Sequence, residues 1–231
     1  LGEIAPRTSA MLVEPLVQGA GGMRFHDAAV LHRLRRLCDR HDLLLIFDEI
    51  FTGFARTGGA LFACQEAEVI PDIVTLGKAL TGGTLPLAAT IARTAIFDAF
   101  LADDPAAALM HGPTYMGNAL ACAAANASLD LFEREPRVAQ TDAIAGWLRA
   151  GLRPAAELPH VRDVRVKGAI GVVQLDRPID MARATAAFVE RGIWLRPLGD
   201  VLYTTPPLVA DEEEIARIAR AIVAVASEDQ I

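Results

Sequence analysis

Only two of the 22 basic residues in the chain are lysines, Lys78 and Lys167; the others are arginines. Arginine stays protonated and forms no imine, whereas a lysine that has lost its ammonium proton is a nucleophile for carbonyl carbon. Lys78 stands at the end of the apolar run Ile73-Val74-Thr75-Leu76, between Gly77 and Ala79-Leu80. A lone lysine is ordinarily a solvated surface residue. These flanks, and the rarity of the type, point instead to a partly desolvated side chain with a lowered pKa. Earlier in the chain Asp48 follows Leu43-Leu44-Leu45-Ile46-Phe47, a run so apolar that a charge at its end needs a partner. The carboxyl ends of strands are where open α/β sheets bind ligands. Taken alone, Asp48 reads equally well as a ligand-binding acid or as a residue that caps the next helix or pairs with a nearby arginine such as Arg56.

An acid and a lysine on neighbouring strand ends together supply what pyridoxal phosphate needs. The lysine takes the aldehyde, and the carboxylate keeps the pyridine nitrogen protonated so that the ring is an electron sink. Nucleotide chemistry fits less well. Gly19-Ala20-Gly21-Gly22 has Arg24 where G-x-G-x-x-G needs its third glycine, and Gly77-Lys78 lacks both the Walker spacing and a following Ser or Thr. A zinc reading of Cys38 with His41 lacks a second ligand pair, so no metal is expected.

The elements that must position these groups alternate. Met11-Leu12-Val13 reads as a short buried strand broken at Pro15, followed by the glycine-rich turn of residues 18–22. From the N-cap candidate Asp27, residues 28–40 place Val30, Leu31, Leu34, Leu37 and Cys38 on one helical face. The continuous apolar run 43–47 predicts a parallel strand covered on both faces. Strands at 73–76 and 87–91 follow, then a small-residue helix over 119–133. This is the pattern of an open, mostly parallel α/β sheet. Around Pro136 the character changes to a smaller α+β domain. It has helices at 138–152 and 179–191, strands at 161–166, 169–175 and 193–195, and a last helix opened by an Asp211/Glu214 capping box. The expected domains are therefore 1–136 and 137–231.

The sequence is 52% hydrophobic with a formal net charge of −7 and no basic stripe, which speaks against nucleic acid and anionic membrane surfaces as partners. No apolar run approaches the ~18 residues of a membrane span. The opening Leu1-Gly2-Glu3-Ile4-Ala5-Pro6-Arg7 lacks the apolar core of a secretory signal. Three cysteines, Cys38, Cys64 and Cys122, read as small buried hydrophobes in a reducing, cytoplasmic compartment.

Three stretches resemble the class-III aminotransferases of fold type I. They are Val13-Glu14-Pro15-Leu16-Val17-Gln18-Gly19-Ala20-Gly21-Gly22, Phe47-Asp48-Glu49-Ile50 with Thr52-Gly53-Phe54 and Arg56-Thr57-Gly58, and Pro71-Asp72-Ile73 through Gly77-Lys78-Ala79-Leu80-Thr81-Gly82-Gly83. The resemblance runs from Leu12 to about Ala224. His111-Gly112-Pro113-Thr114-Tyr115-Met116-Gly117-Asn118, Val166-Lys167-Gly168-Ala169-Ile170-Gly171 and Ile193-Trp194-Leu195-Arg196-Pro197 narrow it within that family.

The resemblance implies ping-pong amino transfer from S-adenosylmethionine to 8-amino-7-oxononanoate, giving 7,8-diaminononanoate in biotin synthesis, by a homodimer with shared active sites. Lys78 would carry the cofactor and Asp48 would hold the pyridine nitrogen. Pro113 and Thr114 would reach the cofactor phosphate of the neighbouring subunit, with Gly112 near the substrate. Arg196 would bind a substrate carboxylate, for which its fork is suited. Tyr203 would line the substrate site and Gln18 would approach the ring oxygen. The alternatives are an exposed surface arginine, a packing tyrosine, a turn glutamine and, for Thr114, a hydroxyl that satisfies local backbone. Some relatives carry an acid in the glycine turn that can hold the equivalent arginine, and its absence here leaves Arg196 free for a carboxylate. Ala55 stands where a glycine is usual, Gly58-Gly59-Ala60 is one residue longer than usual, and Tyr115 and Ala119 replace a phenylalanine and a proline.

Two other functions stay open: a class-III enzyme acting on another ω-amino acid, and a non-catalytic dimerising fragment. Between Leu1 and Asp48 nothing matches the Gly/Ser turn at a helix start that holds the phosphate in the family. The expectation is an amino-terminal portion missing from this chain, which alone would bind cofactor weakly and not turn over.

Overall fold

The computed structural model describes residues 7–228; residues 1–6, read above for a secretory leader, lie outside the described residues. In chain order the first elements are β1 (Ala10–Val13), β2 (Val17–Gln18), β3 (Arg24–Phe25), α1 (Ala28–Arg40), β4 (Leu44–Asp48), α2 (Ala63–Glu66), β5 (Ile73–Leu76), β6 (Ala89–Ala92), α3 (Thr94–Asp98) and α4 (Ala119–Arg134). They are followed by α5 (Arg137–Leu152), β7 (Val161–Lys167), β8 (Ile170–Leu175), α6 (Met181–Glu190), β9 (Val201–Thr204) and α7 (Glu212–Ala226). Two compact units result. The first holds the chain up to Leu16, His26–Phe54 and Phe62–Glu135; the second holds Val17–Phe25, Ala55–Leu61 and everything from Pro136 onward. Two short segments from inside the first 136 residues thus fold with the second unit.

The first unit is α/β. Its sheet runs β1-β4-β5-β6, with β1, β4 and β5 parallel and β6 antiparallel to β5. Helix α1 is the crossover from β1 to β4, and its 3.6-residue periodicity buries Leu31 and Cys38 completely. Val30, expected on the same face, is 40% exposed. Asp27 occupies the N-cap position but makes no side-chain cap bond. In β4, Leu45 and Phe47 are fully buried while Leu44 is 38% exposed. The strand therefore alternates between a closed and a more open face, where the sequence predicted both covered. A second apolar cluster joins Phe54, Leu76, Leu80 and Ala125, with Phe62 and Phe132 packed on Phe54 at ring separations of 5.3 and 5.5 Å. Asn118 caps α4 by accepting from the backbone N–H groups of Leu120 and Ala121.

The second unit places an antiparallel sheet, β7-β8-β9, against α5, α6 and α7. Ile144, Leu148 and Leu152 of α5 meet Val173 and Leu175 of β8, Phe188 of α6, and Ile215 and Ile222 of α7, all at 7% exposure or less. The capping box of α7 forms as expected: Asp211 Oδ1 accepts from Glu214 N, and Glu214 Oε2 accepts from Asp211 N. The strand expected at 193–195 does not form. Its place beside β8 goes to β9, whose residues 201–204 pair with Gly171, Val172, Val173 and Gln174. The apolar triplet Ile193-Trp194-Leu195 is an extended segment outside the ladder, with Trp194 73% exposed. The glycine-rich turn of residues 18–22 is the tip of a hairpin, β2 against β3.

Candidate active site

Asp48 is the last residue of β4, paired in register with Thr75 of β5. Its Oδ1 accepts from the backbone N–H of Ile50 at 3.0 Å and from Thr75 Oγ1 at 3.2 Å. Both bonds fall on one oxygen and leave Oδ2 open to a further donor. The Arg56 alternative does not hold. That guanidinium donates to the carbonyls of Ala169 and Pro206 inside the second unit, and burial lowers its pKa to about 10.

Lys78 follows the end of β5 by two residues and opens a 3-10 turn, Lys78–Thr81, that Gly82 ends in the left-handed region. Its own φ is +46°, an uncommon conformation for a residue with a side chain, and it aims the chain away from the strand. Leu76 and Leu80 are buried on either side, yet Lys78 itself is exposed. The desolvated lysine expected from the sequence is thus corrected: its apolar flanks face the core, and the turn carries the ammonium outward. Nζ lies 5.0 Å from the Phe51 ring centroid, a cation–π contact, and faces no carboxylate among the described residues. The residue lines a cavity of about 630 Å³ with Ile50, Gly83, Leu85 and Leu87. Asp48 and Lys78 thus stand at the carboxyl ends of adjacent parallel strands.

Gly112, Pro113 and Thr114 lie in an exposed loop of the first unit, and no element of that unit covers them. Around them Leu109, Met110, Tyr115, Met116 and Leu120 are 59–92% exposed, a concentration of apolar side chains that isolated surface residues do not produce.

Gln18, Arg196 and Tyr203 belong to the second unit. Gln18 is exposed on the hairpin opposite Arg24, and Gly21 lies under its side chain. Arg196 is exposed too; the apolar triplet before it does not bury it, because that triplet is not in the sheet. It makes no hydrogen bond or ion pair among the described residues. An isolated antiparallel bridge between Leu198 and Val201 folds the chain back between Arg196 and Tyr203. Tyr203 is half-buried in β9, paired with Val172.

Sequence reasoning missed Glu49, which it named only as a member of the Phe47-Asp48-Glu49-Ile50 stretch. It is fully buried, accepting from Ala63 N and Thr52 Oγ1 on Oε2 and from Cys64 N on Oε1, which ties the start of α2 to the end of β4. An acid directly after an apolar strand and fourteen residues before a small-residue helix start carried no spacing rule that could have found it. Cys64 and Cys122 are half-buried, and only Cys38 is fully buried. Among the described residues no group of three His, Cys, Asp or Glu is placed to hold a metal ion. Nor is any helix among them long and apolar enough to cross a membrane.

The family model for class-III aminotransferases matches residues 2–226. The chain is 51% identical over 98% of its length to an adenosylmethionine-8-amino-7-oxononanoate aminotransferase of Mycobacterium leprae. It is 46% identical over 93% to the enzyme of that name from Corynebacterium glutamicum. It spans about half the length of these relatives, 51% and 50%. Among solved structures it superposes with a TM-score of 0.90 and 33% identity on the Methanocaldococcus jannaschii adenosylmethionine-8-amino-7-oxononanoate aminotransferase, covering 97% of this chain and 55% of that one. An amine transaminase from an uncultivated Pseudomonas species, solved in its PLP-bound form, gives the same TM-score of 0.90 at 34% identity, covering 97% of this chain and 54% of that one.

Proposed function

This chain belongs to the class-III aminotransferases, and from that premise we propose that the protein containing it transfers an amino group from S-adenosylmethionine to 8-amino-7-oxononanoate, yielding 7,8-diaminononanoate for biotin. The observation that carries this reading is the 51% identity over nearly the whole chain to a relative of that name. Pyridoxal phosphate is the family's cofactor, and when bound it supplies an aldehyde for amines and a protonated ring that accepts an electron pair.

The residues present fit that group. Asp48 offers an unpartnered Oδ2 beside a fully engaged Oδ1, a carboxylate fixed in direction and ready for one N–H donor. Lys78 offers an exposed amine that no carboxylate neutralises among the described residues. In this reading Asp48 holds the ring nitrogen's proton in place. Lys78 is the covalent attachment point and afterwards moves a proton at the reacting carbon. Arg196, which no acid engages among the described residues, grips the acceptor carboxylate with its fork, and Tyr203 lines the same side. Gln18 approaches the ring oxygen. Pro113 and Thr114 hold the phosphate in a neighbouring subunit, with Gly112 by the substrate. The exposed apolar residues around 109–120 support such a homodimer. The first unit is then part of the cofactor-binding domain, the second the small domain, and the cytoplasm the working compartment.

The test is direct. The full-length protein with cofactor and both substrates should form diaminononanoate detectable by mass spectrometry. Turnover with ω-amino acids, but none with S-adenosylmethionine, would replace this donor with another.

A further inference from the structure

Gln18 sits on a hairpin too small to hold itself: β2 and β3 share two residue pairs, Val17 with Phe25 and Gln18 with Arg24. An isolated two-stranded ribbon of any length is marginal in water. Non-glycine residues at positive φ flank its strands as well, Leu16 at +65° before β2 and Met23 at +50° before β3. Something else must fix it, and the second unit contains one side chain that does. Arg165 of β7 donates Nε to the carbonyl of Met23 at 2.9 Å and Nη2 to that of Gly22 at 3.2 Å, with its guanidinium carbon 5.6 Å from the centre of the Phe25 ring.

The guanidinium is itself braced. Its Nη1 donates to Asp163 Oδ2 at 2.7 Å and to Gln174 Oε1 at 2.8 Å, so four of its five donors are engaged. Gln174 Nε2 in turn donates to Asp200 Oδ2 at 2.7 Å. The backbone carbonyl of Asp200 accepts from Leu175 N at 2.8 Å. Asp200 lies inside the Leu198–Val201 turn, which joins the segment carrying Arg196 to the strand carrying Tyr203. A planar fork at one end and a carboxylate at the other allow one side-chain chain to reach two separate loops, an arrangement that apolar packing cannot specify in direction.

We infer that Arg165, Gln174 and Asp200 form a positioning network that fixes the Gln18 hairpin and the Arg196–Tyr203 turn in one geometry. The network thereby sets the affinity for the carboxylate-bearing acceptor. The inference rests on the reading of Gln18, Arg196 and Tyr203 given above. None of the three network residues touches substrate in that reading; they act through the loops they hold.

The test uses the full-length holoenzyme and the variants Arg165→Met, Arg165→Lys and Asp200→Ala. Hydrogen exchange over residues 17–25 should accelerate in Arg165→Met and, through the network, in Asp200→Ala, whose substitution lies outside the hairpin. The acceptor KM should rise roughly tenfold while kcat falls far less, and the double variant should lose less than the product of the single losses. Arg165→Lys keeps the charge but not the fork, so it should fall between wild type and Arg165→Met; it also serves if the methionine variant fails to fold. Hairpin exchange unchanged in Asp200→Ala, or an unchanged acceptor KM despite faster exchange, overturns the inference. Absence of turnover in the wild type overturns the functional reading instead, and the exchange measurements then decide the network by themselves.

Discussion

Thr75 Oγ1 donates to Asp48 Oδ1 across the β4–β5 ladder at 3.2 Å, and the same oxygen receives the Ile50 N–H. One carboxylate oxygen is thereby spent on holding the group, and the other has no partner among the described residues. Replacing Thr75 by Val removes one hydrogen bond to a charged acceptor, worth about 1.5–3 kcal/mol, part of which should appear as weaker cofactor binding. If Asp48 holds the ring nitrogen as proposed, Asp48→Asn removes the charge that keeps it protonated, and kcat should fall roughly a hundredfold or more. Cofactor titrations and steady-state rates separate the two. Equal losses in both variants would show that Asp48 acts through the fold and not on the ring.

Lys78 should be the residue labelled when the holoenzyme is reduced with borohydride, digested and mapped by mass spectrometry. Lys78→Ala should carry no label. The other lysine of this chain, Lys167, lies in β7 of the second unit, and a label there would remove the assignment.

Arg196→Ala should raise the acceptor requirement while leaving cofactor attachment intact. Losing one charge-assisted, two-pronged contact should cost about 1.5–3 kcal/mol, ten- to a hundredfold in kcat/KM. Arg196→Lys should recover only part of that, since an ammonium cannot reproduce the fork. Acceptor kinetics indifferent to both changes would leave Arg196 a surface residue.

Periodicity made much of this fold readable. Residues 28–40 and 73–76 carry clean helical and strand patterns, and both elements form at those bounds. The charged ends of β4 and β5 were legible because a charge after an apolar run is conspicuous. What was not legible is tertiary. Ile193-Trp194-Leu195 is as apolar as a strand should be, but the ladder position beside β8 is won by residues 201–204, whose polar Tyr and Thr weaken the pattern. The exposure of Lys78 depends on a left-handed turn that no propensity predicts. The hairpin of residues 17–25 depends on Arg165, far away in sequence.

Ala55 keeps the backbone that a glycine would favour: its φ is +62°, and its N–H still donates to the Leu61 carbonyl at 2.7 Å. An alanine held there stores about 1 kcal/mol of strain. Ala55→Gly relieves it and loses part of the gain to a more flexible unfolded chain, for a net stabilisation of a few tenths to about 1 kcal/mol in denaturant unfolding. A destabilised Ala55→Gly would mean that the methyl group's packing outweighs the strain.

Cys64 offers a prediction in pH. Burial first, and then the negative charge of Glu49 beside it, push its thiol up to about 12 from an ordinary value of 9.0. The folded thiol therefore keeps its proton across a range in which the unfolded thiol has lost it. Between about 9 and 12 the native state binds more protons than the unfolded state, so this group's contribution to stability is fully present below 9 and falls as pH rises towards 12. Cys64→Ala removes that dependence, and the stability difference between wild type and variant should shrink steadily over the window when both are unfolded with urea. The same protonation makes the native thiol slow to alkylate, since only the thiolate is nucleophilic. At pH 8, iodoacetamide should modify Cys64 in the native protein far more slowly than after unfolding. Rapid native labelling at Cys64, with a stability difference flat in pH, would mean that Glu49 and the start of α2 do not enclose the thiol in solution.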